Sequence, residues 1–389
     1  MRLLHTSDWH LGRSFHRESL ISAQREFLEH LVTVVRERGV DAVLVAGDVY
    51  DRALPGLDAV ELFDGVLHRL AELGVPTVFI SGNHDSARRL GVAAGLIGQA
   101  GIHLRTDPGG VAEPVVLADE HGPVAVYGLP YLEPALTRER FGLAKGGHEQ
   151  VLGAAMERVR QDLAGRPAGT RAVVLAHAFV VGGEASDSER DITVGGVAAV
   201  PSAVFDGAHY VALGHLHGCQ TIAPHLRYSG SPLAYSFSET DHRKTMWLVD
   251  LAADGSVEAE RVDCPVPRPL ARLRGKLDEL LGDERYERHT GSWVQATLTD
   301  PARPAKPMEQ LRTRFPHTLQ LLFEPEPTDG GPVESYASRV SGRTDLEVAE
   351  GFVRHVRPGT EAEPTEREWL RRAFEDVRRL DHQKQELPR

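Results

Sequence analysis

The sequence predicts an α/β protein in which helices flank central β-sheets, followed by a small α+β second domain and C-terminal helices. Three observations carry this expectation. Short apolar, β-rich runs recur through the first 250 residues, and several are continuous rather than alternating, as strands buried on both faces are. Amphipathic stretches with apolar positions three and four apart lie between them. A proline-rich step, CPVPRP at 264–269, then precedes a shorter alternation of the same patterns.

The strands read as 3–7, 42–46, 77–81, 124–129, 172–176, 210–213 and 246–251. Residues 20–38 and 57–73 read as helices, with a glycine just past each end. Together these make a layered core over residues 1–263. The prolines of the step favour an extended linker. Beyond it, a helix at 270–281, a strand at 293–298, a helix at 308–315 and a strand at 319–323 form a second domain, residues 268–325. Residues 324–343, rich in Pro, Gly, Ser and acids, read as a flexible connection. The tail, residues 344–386, holds helices at 345–356 and 365–380. Their caps are Thr344 or Asp345 and Thr365, the latter with Glu368 at capping-box spacing.

A chain of 389 residues has room for one large catalytic domain and one or two smaller ones. The two cysteines, Cys219 and Cys264, are far apart and not in a metal-type spacing, so no disulfide framework is expected and a reducing cytoplasm fits. The first residues lack a basic segment followed by an apolar core, and no run approaches the roughly 20 apolar residues of a membrane span. A soluble cytoplasmic protein is expected. The net charge of −12 argues against tight autonomous binding to nucleic acid. It leaves room for an enzyme that holds cations, because a bound metal reverses the sign of the local field.

Five short motifs sit at the ends of expected strands, where α/β folds place functional groups. They are Asp8-Trp9-His10, Gly47-Asp48-Val49-Tyr50-Asp51, Gly82-Asn83-His84-Asp85, His177 and Gly214-His215-Leu216-His217. Each alone is weak: a Gly-Asp after a strand is often a turn, and a lone strand-end histidine is more often solvated than a ligand. All five in order, each on a strand end, point to a two-metal site. Phosphodiesters are anionic and repel hydroxide, so a catalyst must neutralise phosphate and generate a nucleophile near neutral pH. Two divalent ions about 3.5–4 Å apart do both. Mixed His, Asp and Asn ligands suit Mn²⁺, Fe²⁺ or Zn²⁺ better than Mg²⁺ or Ca²⁺.

This motif order resembles the calcineurin-like metallophosphoesterase superfamily. The resemblance implies that Asp8, His10 and His217 hold one metal and Asn83, His177 and His215 the other, with Asp48 bridging. It implies that His84 is a non-ligand catalytic histidine facing the phosphate. Asp85 either orients His84 or serves as a helix N-cap. The segments 5–12, 182–196, 210–220 and 227–239 narrow the match, being similar to the bacterial SbcD nucleases. That likeness implies a Mn²⁺-dependent 3′-to-5′ exonuclease on duplex DNA and an endonuclease at hairpins, in repair, recombination and replication. It further implies an SbcC-type coiled-coil ATPase partner, a homodimer within a heterotetramer, and a DNA-capping role for the second domain. Asp51 stands where some relatives carry a second catalytic histidine; it is expected to hydrogen-bond its loop.

Outside the motifs, Tyr228, Ser229 and Ser231 either offer donors to phosphate or form a polar turn. Arg88 and Arg89 either meet phosphate or are solvated helix charges. The tail helices, with Leu346, Val353, Val356, Trp369, Leu370, Phe374 and Val377, either dock in a partner's groove or fold back on the core. Two other functions remain open: a small-molecule phosphodiesterase or phosphatase on the same scaffold, and a non-catalytic metal-binding adaptor.

Overall fold

The computed structural model describes residues 1–190, 199–326, 342–357 and 361–385. Two six-stranded sheets form the centre. The first runs, in spatial order, Val257–Asp263, Thr245–Leu251, Arg2–Thr6, Ala42–Ala46, Thr77–Ile80, Ile102–Arg105; the second runs Gln220–Ala223, Leu226–Tyr228, Tyr210–Gly214, Arg171–His177, Gly122–Leu129, Val115–Asp119. The strands that lead into the motifs pair in parallel, so their carboxyl ends lie along one edge.

Alternation along each strand explains the continuous apolar runs. In Ala42–Ala46, Ala42 and Leu44 join a cluster between the two sheets with Leu3, Val78, Val173 and Tyr210, whereas Val43 and Val45 pack outward against Phe27, Leu31 and Leu62. Those outer partners come from helices Ile21–Glu37 and Leu57–Glu72. Helix His148–Ala164 covers the second sheet through Val151, Leu152, Ala155, Met156 and Val159. The result is four layers, α/β/β/α, with each central strand buried on both faces. The sequence reading assigned no element to 148–164.

Residues 270–323 build a three-stranded parallel sheet, Leu270–Gly275, Trp293–Leu298 and Thr318–Phe323, with helices Leu277–Gly282 and Pro307–Arg314. The helix expected at 270–281 is therefore half strand. Ala271, Leu273 and Gly275 face the small core in period two while Arg272 and Arg274 face out, and pairing with Trp293–Leu298 overrides the helical spacing. This subdomain meets the main core at Phe15, Leu20, Tyr235 and Phe237, which pack with Leu270, Trp293 and Leu319. By contacts, Met1–Thr299 with Pro304–Glu324 form one unit.

The second unit contains helices Asp345–Val356 and Pro364–Gln385, joined by Arg357–Glu366 and Arg367–Glu350 ion pairs. Thr344 caps the first, with Glu347 completing the capping box. The cap expected at Thr365 is displaced: the helix begins at Pro364, and Glu366 accepts the Glu363 N–H at 3.0 Å. Proline suits this first turn because its missing N–H needs no partner there. Most of the expected flexible connection, 327–341, lies outside the described residues, as does 191–198.

Candidate metal centre

The two sheets bring their carboxyl edges together closely. His177 Nδ1 meets the Ala46 carbonyl at 2.9 Å, and the His215 N–H donates to Asp8 at 3.0 Å. A Cβ on Gly214 would stand 1.9 Å from the Ala46 oxygen, so only glycine permits this approach. Asp8, His10, Asp48 and His215 all have positive φ, between 45° and 104°. Non-glycine residues rarely adopt that conformation, and such strain concentrates at functional sites.

The expected ligand residues meet in this seam. Asp8, His10 and His217 offer ligand atoms within 4.8 Å of one another, as do Asp8, Asp48 and His177. Asn83 Oδ1 lies 2.8 Å from His177 Nε2 and 3.2 Å from His215 Nδ1. Asp48 lies between the groups, 3.6 Å from His10 Nε2 and 3.5 Å from His177 Nε2. Asp8, His10, Asp48, His177, His215 and His217 are all buried.

The donor set fits divalent cations on physical grounds. Burial pushes the Asp8 carboxyl well above its usual range, and the nearby Asp48 adds to this. Burial also holds His10, His177 and His215 below the ordinary imidazole value, aided for His10 and His215 by neighbouring histidines. A carboxyl buried in this way keeps its charge only beside a cation, and among the described residues no lysine or arginine pairs with Asp8 or Asp48. Buried charge of this kind calls for a compensating cation. The His10 and His217 Nε2 atoms face each other at 3.1 Å, and Asn83 Nδ2 is buried without a partner among the described residues.

His84 borders the cluster, its ring 4.6 Å from that of His10. Its N–H donates to Asp48 at 2.8 Å, and its Nδ1 donates to the Asp51 carbonyl at 2.8 Å. Asp51 thus serves the loop through its backbone, while its side chain lies 3.7 Å from Arg13 and 3.6 Å from His10 Nδ1.

Three of the expected site residues have their polar groups engaged within the fold. Asp85 neither orients His84 nor caps a helix: its oxygens accept the N–H groups of Val49, Tyr50 and Gly82, tying two motif loops together. Burial, with Asp48 nearby, pushes its carboxyl up to about 7 despite those bonds. Tyr228 is fully buried, its hydroxyl donating to the Ala178 carbonyl at 2.7 Å and accepting the Val180 N–H. Ser229 is equally buried and meets Ser7 at 2.7 Å. Neither presents a group to a substrate. Arg88 is exposed on the wall of a cavity of about 680 Å³ that Asn83, Tyr131 and Arg140 also line.

Sequence reasoning missed the residues that hold the histidines. Ser188 and Glu239 stand behind His217, Glu189 accepts its N–H at 2.7 Å, and Gln24 donates to the His10 carbonyl at 2.8 Å. The segments carrying Ser188, Glu189 and Glu239 stand out in the sequence only by family resemblance; nothing in their spacing signals a contact with His217.

Residues 1–219 match the family model described as calcineurin-like phosphoesterase, and residues 266–357 match the SbcD C-terminal model, described as type 5 capsule protein repressor C-terminal domain. Among solved structures, the protein TT1561 of Thermus thermophilus is similar at 14% identity, over 67% of this chain and 98% of that one, with a TM-score of 0.39. A dimetal phosphatase from Danio rerio is similar at 15% identity, over 68% and 99%, with a TM-score of 0.38. GAP50, the anchor in the inner membrane complex of Plasmodium, is similar at 11% identity, over 68% and 84%, with a TM-score of 0.41.

Proposed function

Because the chain belongs to the calcineurin-like phosphoesterase family, and is thereby a hydrolase acting on phosphodiester bonds, we propose that its substrate is DNA and that it is an SbcD-type nuclease. The observation that carries the reading is the meeting of Asp8, His10 and His217 with Asn83, His177 and His215 around Asp48. In this reading the first three would hold one divalent ion and the second three another, with Asp48 shared between them. Mn²⁺ suits this mixed donor set. Two such ions, when bound, neutralise phosphate charge and make a nucleophile available near neutral pH.

The chain's own residues supply the rest. The Asp51 carbonyl can only accept, so His84 carries a proton on Nδ1, which leaves Nε2 as the nitrogen available to the site. That nitrogen is the group to hold a proton for the leaving oxygen. Arg88, at the cavity wall, offers charge to a neighbouring phosphate. The match over 266–357 favours DNA over a small diester, and with it an SbcC-type ATPase partner for the tail, a capping role for the subdomain, a dimer, and work at the nucleoid in repair, recombination and replication. No helix among the described residues is long and apolar enough to cross a membrane.

The test is Mn²⁺-dependent degradation of linear duplex DNA, with and without the ATPase, beside hydrolysis of a chromogenic diester. DNA cleavage is expected. Hydrolysis of the diester alone would move the function to a small-molecule phosphodiesterase.

A further inference from the structure

We propose that Ser188 and Glu239 are positioning residues that lock His217 in the Nδ1–H tautomer, leaving its Nε2 lone pair free for the ion held with Asp8 and His10. This rests on the metal reading of the site.

The proton accounting leaves little choice. Lys244 and Glu239 form an ion pair at the base of the site, both essentially buried. Lys244 Nζ also donates to the His217 carbonyl at 3.0 Å and to Ser231 Oγ at 2.9 Å. An ammonium has only donors, so Glu239 meets it as a carboxylate, which only accepts. Glu239 Oε1 lies 2.6 Å from Ser188 Oγ and also accepts the Tyr235 N–H at 3.1 Å. Ser186 Oγ, 3.1 Å from Ser188 Oγ, gives its own hydrogen to Glu189 at 2.6 Å and is the weaker partner, so the single hydroxyl hydrogen of Ser188 points to Glu239. Ser188 Oγ also lies 2.5 Å from His217 Nδ1; with its hydrogen engaged it must accept there, so the imidazole proton sits on Nδ1. Nε2 is then unprotonated, and it faces His10 Nε2 at 3.1 Å. Glu189 fixes the same residue through its backbone N–H at 2.7 Å.

Other histidines of the site are oriented by simpler means. His177 donates from Nδ1 to a backbone carbonyl. Among the described residues, His217 alone uses a hydroxyl relay ending in a buried ion pair, drawn from segments 51 residues apart. Partners that fix a ligand's tautomer generally contribute about 10- to 100-fold in metal affinity.

The experiment uses the full chain as Ser188→Ala and Ser188→Thr. Long-range ¹H–¹⁵N spectra of the metal-free protein read the His217 tautomer, and calorimetric Mn²⁺ titration reads each site. Wild type and Ser188→Thr are expected to show Nδ1–H and two tight sites. Ser188→Ala is expected to show mixed tautomers and one site weakened about 10- to 100-fold. Two wild-type-like sites in Ser188→Ala, or a wild-type proton on Nε2, would overturn the relay. Failure of the wild type to take up any ion would instead remove the metal reading, and the relay's purpose with it.

Discussion

The Nδ1 of His84 lies 2.8 Å from the Asp51 carbonyl oxygen, a contact in which only the imidazole can donate. The bond holds the ring at the edge of the cluster through backbone, independently of any ligand residue's side chain. His84→Ala is therefore expected to lower diester hydrolysis about 10²- to 10⁴-fold, the usual contribution of a positioned proton donor, while Mn²⁺ uptake stays at two ions. His84 also groups with His10 and Asp48 as a set that could hold a metal. Loss of an ion from the variant would assign His84 to ligation and remove its role as acid.

Asp48 makes a different prediction, because a bridging anion is what lets two cations approach closely. Asp48→Asn keeps the side chain's size and an oxygen to accept the His84 N–H, now at 2.8 Å, but removes the charge. The variant is expected to retain one Mn²⁺ instead of two after dialysis, by elemental analysis, with activity close to background. Retention of two ions would place the bridge elsewhere.

The residues that converge in the cluster were legible because each follows an apolar run and carries a metal-binding residue type, features that survive without knowledge of packing. The supporting shell was not. Ser188 lies in a turn and Glu239 ends a short 3-10 helix, Phe237–Glu239, and their meeting with His217 depends on how segments from different parts of the chain close. Tyr228 and Ser229 misled for the opposite reason: their polar atoms look available in sequence, yet the fold uses them internally. In the fold, Ala42–Ala46 was readable from its continuous run, whereas Leu270–Gly275 was not. Its leucines also fit helical spacing, and only the neighbouring strand decides between the two patterns.

Acid stability can be followed at Asp119, which pairs with the buried Arg171 guanidinium. The Arg171 hydrogen bond holds its carboxyl well below the usual carboxylate range, against the opposing effect of burial. A folded value below the unfolded one means that the unfolded chain takes up the proton first. The contribution is thus complete above about pH 4, the unfolded value, and is lost as pH falls towards the folded one. Asp119→Asn is expected to cost about 3 kcal/mol at pH 7, since Arg171 is left buried without its partner. Urea midpoints should converge with wild type below about pH 4. A gap that stays constant down to pH 2.5 would mean the pair contributes nothing through its charge.

One substitution made at two glycines should act in opposite directions. Gly65 lies on the exposed face of helix Leu57–Glu72, and a Cβ there meets nothing within 4 Å. Gly65→Ala is expected to stabilise by about 0.5–1 kcal/mol, because alanine loses less backbone freedom in a helix. At Gly214 the same methyl would lie 1.9 Å from the Ala46 oxygen and 3.0 Å from His177 Nδ1. The strand ends of the two sheets would have to part, and His177 and His215 would move away from Asn83. Gly214→Ala should lower the unfolding temperature of the metal-free protein and also abolish Mn²⁺ uptake, whereas Gly65→Ala should bind as wild type does. If Gly214→Ala still bound two ions, the close approach of the sheets would not be what assembles the site.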